Sequence, residues 1–126
     1  MIVRPASSDD RLAVIRLLDA ALLEVEGVDA RLEAGDVLVA VDDRERVHGT
    51  IVLEPDDRGA HVAAIAVRRR RRDRGIGTAL VESALEREGR LTARFDERVR
   101  PFYESLGFSI ERIDDRRYRG ERGGRV

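Results

Sequence analysis

The chain contains no cysteine and no lysine, and it has two histidines among 126 residues. Without cysteine there are no disulfides, no thiolate nucleophile and no cysteine-ligated zinc, and two histidines are too few for a histidine-rich site, so we expect no metal. All 24 basic residues are arginine, which excludes Schiff-base chemistry. Aromatic residues make up only 4% of the chain, too few for a base-stacking surface, so we do not expect a nucleic-acid partner.

The overall composition is typical of one domain that folds in water. The hydrophobic fraction of 42% falls in periodic blocks, and the first residues lack the apolar core of a signal peptide. We therefore expect a cytoplasmic protein with no membrane partner. Residues 1–119 are predicted to form the domain, and the polar, glycine-rich residues 120–126 to form a flexible tail.

The first half of the chain predicts a short strand at residues 2–4, a helix, and a hairpin. Ser7 and Asp10 have the spacing of a capping box, so the helix should begin there. Its apolar residues predict one buried stripe that ends near Gly27, made of Leu12, Ile15, Leu18, Leu22 and Val25. A second short helix fits residues 30–34. Residues 37–41 and 47–53 are rich in β-formers and read as antiparallel strands joined by a polar turn.

The second half of the chain predicts a strand, loop, helix, strand unit. Residues 60–67 form an almost wholly apolar strand, which places them at the centre of a sheet with both faces covered. A helix over residues 75–88 and a strand over 91–95 follow. The two strands should be parallel with a right-handed crossover. A helix at 98–106 and strands at 108–113 and 117–119 complete the prediction.

The loop at residues 67–78 carries the chemistry, because it joins a buried strand to the start of a helix. Such a junction offers backbone N–H groups and a positive dipole end to a phosphate. Gly75 and Gly77 allow close approach of the backbone. Arg72 and Arg74 add charged donors, and Thr78 adds a hydroxyl.

Three kinds of phosphate-binding loop compete for this segment. A nucleotide-triphosphate loop needs a lysine and is excluded. A dinucleotide fingerprint has Gly75 and Gly77 and an acid at Asp96, but its third glycine position holds Leu80 and the strand ends too far before Gly75. The third form, Arg/Gln-x-x-Gly-x-Gly/Ala, is present from Arg72 to Gly77.

At this loop the sequence resembles the GNAT family of N-acetyltransferases. A second block, DERVRPFYESLGF from Asp96 to Phe108, is similar to the family's Asn-x-x-Ala-x-x-Phe-Tyr-x-x-x-Gly-Phe pattern. The resemblance implies an α/β fold with a mixed, mostly antiparallel sheet of six or seven strands, a central parallel pair that splays apart, and three to four flanking helices. It also implies acetyl-coenzyme A as co-substrate.

The resemblance further implies the roles of individual residues. The pyrophosphate of acetyl-CoA would be held by residues Arg72, Asp73, Arg74, Gly75, Ile76, Gly77 and Thr78. The pantetheine arm would follow Ile65, Ala66 and Val67, with the Val67 N–H polarising the thioester. Tyr103 matches the tyrosine that protonates the departing thiolate. Phe102 is a core residue or a cofactor contact, and Asp96 replaces the usual asparagine of the cofactor site.

The sequence does not identify the general base or the acceptor substrate. Ala63 and Ala64 occupy the strand where family members often carry a glutamate, which leaves His61, Glu54 or Glu33 acting through water, or an amine that arrives deprotonated. The acceptor would be an amine of a small molecule or a protein N-terminus, and a homodimer is compatible with the sequence. The alternative is a module without turnover that binds acetyl-CoA, or binds nucleic acid through residues 68–72.

Overall fold

Seven strands and four helices make up the computed structural model, which describes residues 1–72 and 74–123. The strands are β1 (Ile2–Pro5), β2 (Val37–Val41), β3 (Val47–Asp56), β4 (Gly59–Val67), β5 (Arg90–Asp96), β6 (Ser109–Arg112) and β7 (Arg117–Gly123). The helices are α1 (Arg11–Ala20), α2 (Val28–Glu33), α3 (Ile76–Glu88) and α4 (Arg100–Ser105). All strands belong to one mixed sheet in the order β1-β2-β3-β4-β5-β7-β6.

The parallel pair at the centre of the sheet separates soon after it begins. β4 and β5 pair only through Ala60 with Leu91 and His61 with Thr92, and every other neighbouring pair of strands is antiparallel. A β-bulge against β3 lies at Ala63, two residues after His61, the last residue of β4 that pairs with β5. Bulges bend a strand and increase its twist. The mixed sheet with a splayed parallel pair confirms the predicted fold class.

Two hydrophobic cores lie on opposite faces of the sheet. α3 and α4 cover one face, where Leu80 and Leu91 are fully buried, and α1 covers the other, where Val14 is fully buried. Gly49 of β3 allows α3 to approach closely, because a Cβ at that position would lie 2.9 Å from Cγ2 of Ile76. The start of α3 is therefore positioned by a missing side chain on a strand.

The first helix is shorter than the sequence predicts, and the predicted stripe is right at Leu18 but wrong at Leu12 and Leu22. The capping box of Ser7 and Asp10 is present, but it caps a 3-10 turn over Ser8–Asp10 that precedes α1. The buried residues of α1 are Val14, Leu17 and Leu18, whereas Leu12 is 55% exposed and Leu22 is 90% exposed. Leu22 has a positive φ of 57°, which ends the helical path well before Gly27.

The last strand is longer than predicted. We expected a flexible tail from Gly120, but β7 continues to Gly123 and pairs with both β5 and β6. Gly120 is needed inside the sheet, since a Cβ there would lie 3.0 Å from Cε1 of Phe95 and 3.3 Å from Cδ2 of Phe108. Residues 124–126 lie outside the described residues. None of the helices in the described part is long and apolar enough to cross a membrane.

Candidate functional site

A cleft of about 610 Å³ opens between the end of β4 and the start of α3. It brings together nine of the residues that the sequence predicts for the cofactor: Ile65, Ala66, Val67, Arg72, Gly75, Ile76, Gly77, Thr78 and Phe102. Two segments of chain therefore supply most of its wall, the strand-to-helix junction and the start of α4. The sequence prediction missed Ala21, Arg71 and Val99, which also line it.

The inner end of the loop presents the amides that begin α3. The first hydrogen bond of this helix runs from the Ala79 N–H to the Gly75 carbonyl at 2.9 Å. The amides of Ile76, Gly77 and Thr78 precede it, so helix geometry gives them no carbonyl partner inside α3. Gly75 has a φ of 80°, a conformation that favours glycine. This end of the cleft suits a phosphate anion.

Gly77 keeps the cleft open beneath Phe102. A Cβ at Gly77 would lie 3.1 Å from Cε1 and 3.2 Å from Cζ of the Phe102 ring, so the ring would have to move to accept even an alanine. Phe102 is half-buried and meets Tyr103 edge to face with ring centroids 5.1 Å apart. Phe102 therefore packs against the core and lines the cleft at once.

The peptide groups of β4 face the gap between the splayed strands. The Arg68 N–H donates to the His48 carbonyl at 2.7 Å, and Val67 pairs with Gly49 one residue earlier. Hydrogen-bonded and non-hydrogen-bonded pairs alternate in an antiparallel ladder, so the peptide groups of Val67 and Ile65 point away from β3. They are turned toward the side where β5 has separated.

The outer end of the cleft is basic. A neighbouring cavity of about 810 Å³ shares Ala21, Val67 and Arg72 with the cleft. Its polar wall consists of arginines: Arg16, Arg68, Arg69, Arg72 and Arg98. Two of them are tied to strand carbonyls, since Arg68 Nη2 donates to Val47 at 3.1 Å and Arg72 Nε to Val67 at 3.4 Å. Two side chains of the arginine segment 68–72 are therefore hydrogen-bonded to the sheet.

A third space, a cavity of about 360 Å³, lies where β4 and β5 separate. We call it the splay cavity; it is lined by residues 62–65 of β4, by Arg94, Phe95 and Asp96 of β5, and by Leu23, Val99, Tyr103 and Arg117. It shares Ile65 and Val99 with the cleft. The two predicted residues Tyr103 and Asp96 therefore lie in the splay cavity and do not line the cleft.

Two predicted loop residues lie elsewhere. Arg74 lines a small cavity with Met1, Val3 and Ala40, on the other side of the start of α3. Asp73 lies outside the described residues. Among the described loop residues, the charged wall of the cleft thus comes from Arg71 and Arg72.

Tyr103 is held rigidly with its phenol in low-dielectric surroundings. Its side chain is 3% exposed, its ring stacks on Phe95 at 4.4 Å between centroids, and Phe108 packs edge-on at 5.0 Å. Burial raises the pKa of the Tyr103 phenol to about 12. The phenol is therefore protonated throughout the neutral range and can donate its proton to an atom in the splay cavity.

None of the three predicted candidates for the general base lines the cleft or the splay cavity. Nδ1 of His61 is 2.8 Å from Oγ1 of Thr92, and burial lowers the pKa of His61. Glu54 stands beside His61 on β3, and Glu33 belongs to α2. The carboxylate that does line the splay cavity is Asp96, whose Oδ1 accepts the Arg98 N–H at 2.9 Å.

Comparison with known families decides the assignment. The family model described as an acetyltransferase (GNAT) domain matches residues 33–110, more than half of the chain. The chain belongs to the GNAT acetyltransferase family. The matched range contains the two segments that supply most of the cleft wall, the β4–α3 junction and the start of α4. Among curated proteins, no significant match to this GNAT domain was found.

Solved structures share the fold of this GNAT domain. Ard1 from Thermoplasma volcanium is 21% identical with a TM-score of 0.80, over 99% of this chain and 98% of that one. N-acetylglutamate synthase from Neisseria gonorrhoeae, complexed with coenzyme A and L-arginine, is 16% identical with a TM-score of 0.81, over 99% of this chain and 33% of that one. Rv2747 from Mycobacterium tuberculosis, in complex with CoA, is 21% identical with a TM-score of 0.75, over 89% and 74% of the two chains.

Proposed function

We propose that this protein is an N-acetyltransferase that moves the acetyl group of acetyl-CoA to a primary amine of a small molecule or a protein N-terminus. The observation that carries the proposal is the continuity of two spaces. A cleft with the amides of α3 at one end meets, at Ile65 and Val99, a cavity that contains a buried tyrosine. We also propose that the activity is cytoplasmic.

The cleft residues fit the chemistry of acetyl-CoA. The amides of Ile76, Gly77 and Thr78, with Arg72, would hold the pyrophosphate, because they combine a helix dipole with charge-assisted donors. The peptide groups of Ile65 and Val67 would bind the amide-containing pantetheine arm as an added strand edge. Known GNAT-fold structures from two bacteria were solved with coenzyme A bound, which supports this use of the fold.

The reaction forms a carbon–nitrogen bond and breaks the carbon–sulfur bond of the thioester. The amine nitrogen attacks the thioester carbonyl, and the Val67 N–H is the proposed donor to its oxygen. Tyr103 is the proposed donor of a proton to the departing thiolate, and its raised pKa keeps the phenol protonated at neutral pH until the thiolate forms. The proton that the amine loses passes to water or to Asp96, the carboxylate of the splay cavity.

Calorimetry with acetyl-CoA tests the cofactor site. Gly77→Val should weaken binding at least about tenfold, because its side chain pushes Phe102 and fills the cleft. The matched control is Gly123→Val at the end of β7, where a Cβ meets nothing within 4 Å, and it should bind like the parent chain. Circular dichroism melts check that both variants fold.

Activity is tested by thiol release from acetyl-CoA with a panel of amines. We expect release that depends on the amine for at least one acceptor. If the folded parent chain gives no heat with millimolar acetyl-CoA, the cofactor assignment fails. If it binds acetyl-CoA and releases no thiol with any amine, the protein is a binding module and the enzyme assignment fails.

A further inference from the structure

One face of the β5–β7 ladder concentrates positive charge beside the splay cavity. Arg94 stands directly opposite Arg119, and Asp96 opposite Arg117. Because cross-strand partners share a face and residues two apart on a strand do too, the four side chains lie on one side of the sheet. Like charges directly opposite each other are destabilising in a sheet. Glu111 of β6 stands opposite Arg119 on its other side and offsets part of this cost.

The positive charge is only partly balanced within the protein. Arg119 has Glu121 at 3.7 Å, and Glu121 also pairs with Arg90. Asp96 has Arg98 at 3.9 Å. Across residues 1–72 and 74–123, no carboxylate lies within ion-pair distance of Arg94 or Arg117. Both of these arginines line the splay cavity.

The splay cavity also has room and a negative group. The alanines at 63 and 64 leave the β4 side open next to the thioester end of the cleft. Asp96 lies two residues from Arg94 on the same face, a separation of about 7 Å along a strand. The cavity wall thus carries two guanidinium groups and one carboxylate, which suits a small molecule that carries both charges.

We infer that the acceptor is an amino acid, whose carboxylate is bound by Arg94 and Arg117 and whose amine is directed toward Asp96 and the thioester. The guanidinium fork matches a carboxylate with two parallel hydrogen bonds, which gives orientation as well as attraction. This inference names the acceptor class of the proposed acetyltransferase and rests on that function for the transfer step, whereas the carboxylate site itself does not depend on it.

The first test compares acceptors with the parent protein. The twenty L-amino acids, their α-amides and phosphoethanolamine are offered with acetyl-CoA, and thiol release is followed. We expect kcat/KM for the best amino acid to exceed that for its α-amide at least about tenfold, since charged hydrogen bonds are lost in the amide. An amide that reacts as well as the acid, or phosphoethanolamine as the best substrate, overturns the inference.

The second test uses variants. Arg94→Gln and Arg117→Gln should each raise KM for the best amino acid about 10- to 100-fold, with kcat and acetyl-CoA affinity within about twofold, and should remove the preference over the amide. Arg58→Gln, an exposed arginine in the β3–β4 turn, is the matched control and should behave like the parent. Equal losses for acid and amide in Arg94→Gln and Arg117→Gln would contradict a carboxylate contact.

Direct binding separates this inference from the proposed function. Calorimetry of the best-binding amino acid with the cofactor-free parent chain and with Arg94→Gln measures the carboxylate site alone. Weaker binding in the variant supports the site even if acetyl-CoA does not bind. Equal binding by the two proteins overturns it even if acetyltransfer is observed.

Discussion

The cofactor cleft and the splay cavity meet at Ile65 and Val99, yet different kinds of chemical group form their walls. The cleft depends mainly on the main chain, on glycines and on apolar side chains from two short segments, with Arg71 and Arg72 as its charged wall. The splay cavity depends on charged side chains and a tyrosine that come from distant parts of the chain. A site made of backbone can serve any member of a family, whereas a site made of side chains can change from one member to the next.

Tyr103→Phe should have the largest effect, and it tests whether the two spaces act together. Removing the phenol leaves the cleft intact but removes the proton for the thiolate, so kcat should fall by about 10²-fold or more while acetyl-CoA affinity is unchanged. Steady-state kinetics and calorimetry measure the two quantities. With its pKa raised to about 12, the phenol should not limit the rate by ionising below about pH 11.

The matched control is Tyr118→Phe. Tyr118 is the other buried tyrosine and stacks on the same Phe95, but it does not line the cleft or the splay cavity. We expect near-parental kcat from it. Similar losses in both variants would mean that the aromatic cluster matters only for packing, and the role of Tyr103 as proton donor would be withdrawn.

Asp96→Asn should have a smaller effect, and it tests which of the two spaces Asp96 serves. The change restores the residue that the family pattern carries and keeps the acceptor for the Arg98 N–H. Because Asp96 lies in the splay cavity, we expect KM for the amine to rise a few-fold, with acetyl-CoA affinity within about twofold. Weaker acetyl-CoA binding would instead place Asp96 in the cofactor site, as the family pattern suggests.

The smallest effect concerns pH and His61, on the polar face beside the splay cavity. Burial lowers the pKa of His61 below that of the unfolded chain, so the unfolded state binds the proton more tightly. Its contribution to stability is present above about pH 6.5 and is lost as the pH falls through the lower folded-state pKa. His61→Gln should reduce the loss of stability between pH 7 and 5 by less than about 1 kcal/mol, allowing for the exposed part of the ring.

Denaturant unfolding at the two pH values measures this difference. Glu54 and Asp56 favour the protonated histidine, whereas Arg94 and Arg119 oppose it, which keeps the net effect small. The same variant should leave acetyl-CoA affinity unchanged, because His61 does not line the cleft. A pH dependence identical to that of the parent would show that His61 does not titrate differently on folding.

The parts of the molecule that could be predicted are those fixed by local sequence. The helix from Ile76 to Glu88 and the loop before it were recognised because glycines and a regular apolar pattern mark them. The first helix was misread because Val14, Leu17 and Leu18 form a second apolar stripe, and spacing alone does not show which stripe faces the sheet. Tyr103 could be identified from the Asp96–Phe108 block that resembles the family pattern. Its position in the splay cavity became clear only from the fold.

The acceptor side could not be predicted for a physical reason. Arg94 and Arg117 are 23 positions apart, and each is one arginine among 24. Only the pairing of β5 with β7 places them near each other, and that pairing depends on register. Val99, which joins the two spaces, is a single apolar residue in a charged segment, and no local pattern distinguishes it.

Gly49 influences the shape of the cleft although it does not line it. Its absent side chain sets how near Ile76, and with it the first amides of α3, can come to β3. A single methyl group added there would press on the helix from beneath and change the width of the cleft mouth without contacting any ligand. A substitution at Gly49, natural or engineered, would therefore change the affinity for the acyl donor, although Gly49 would not be found among the ligand contacts.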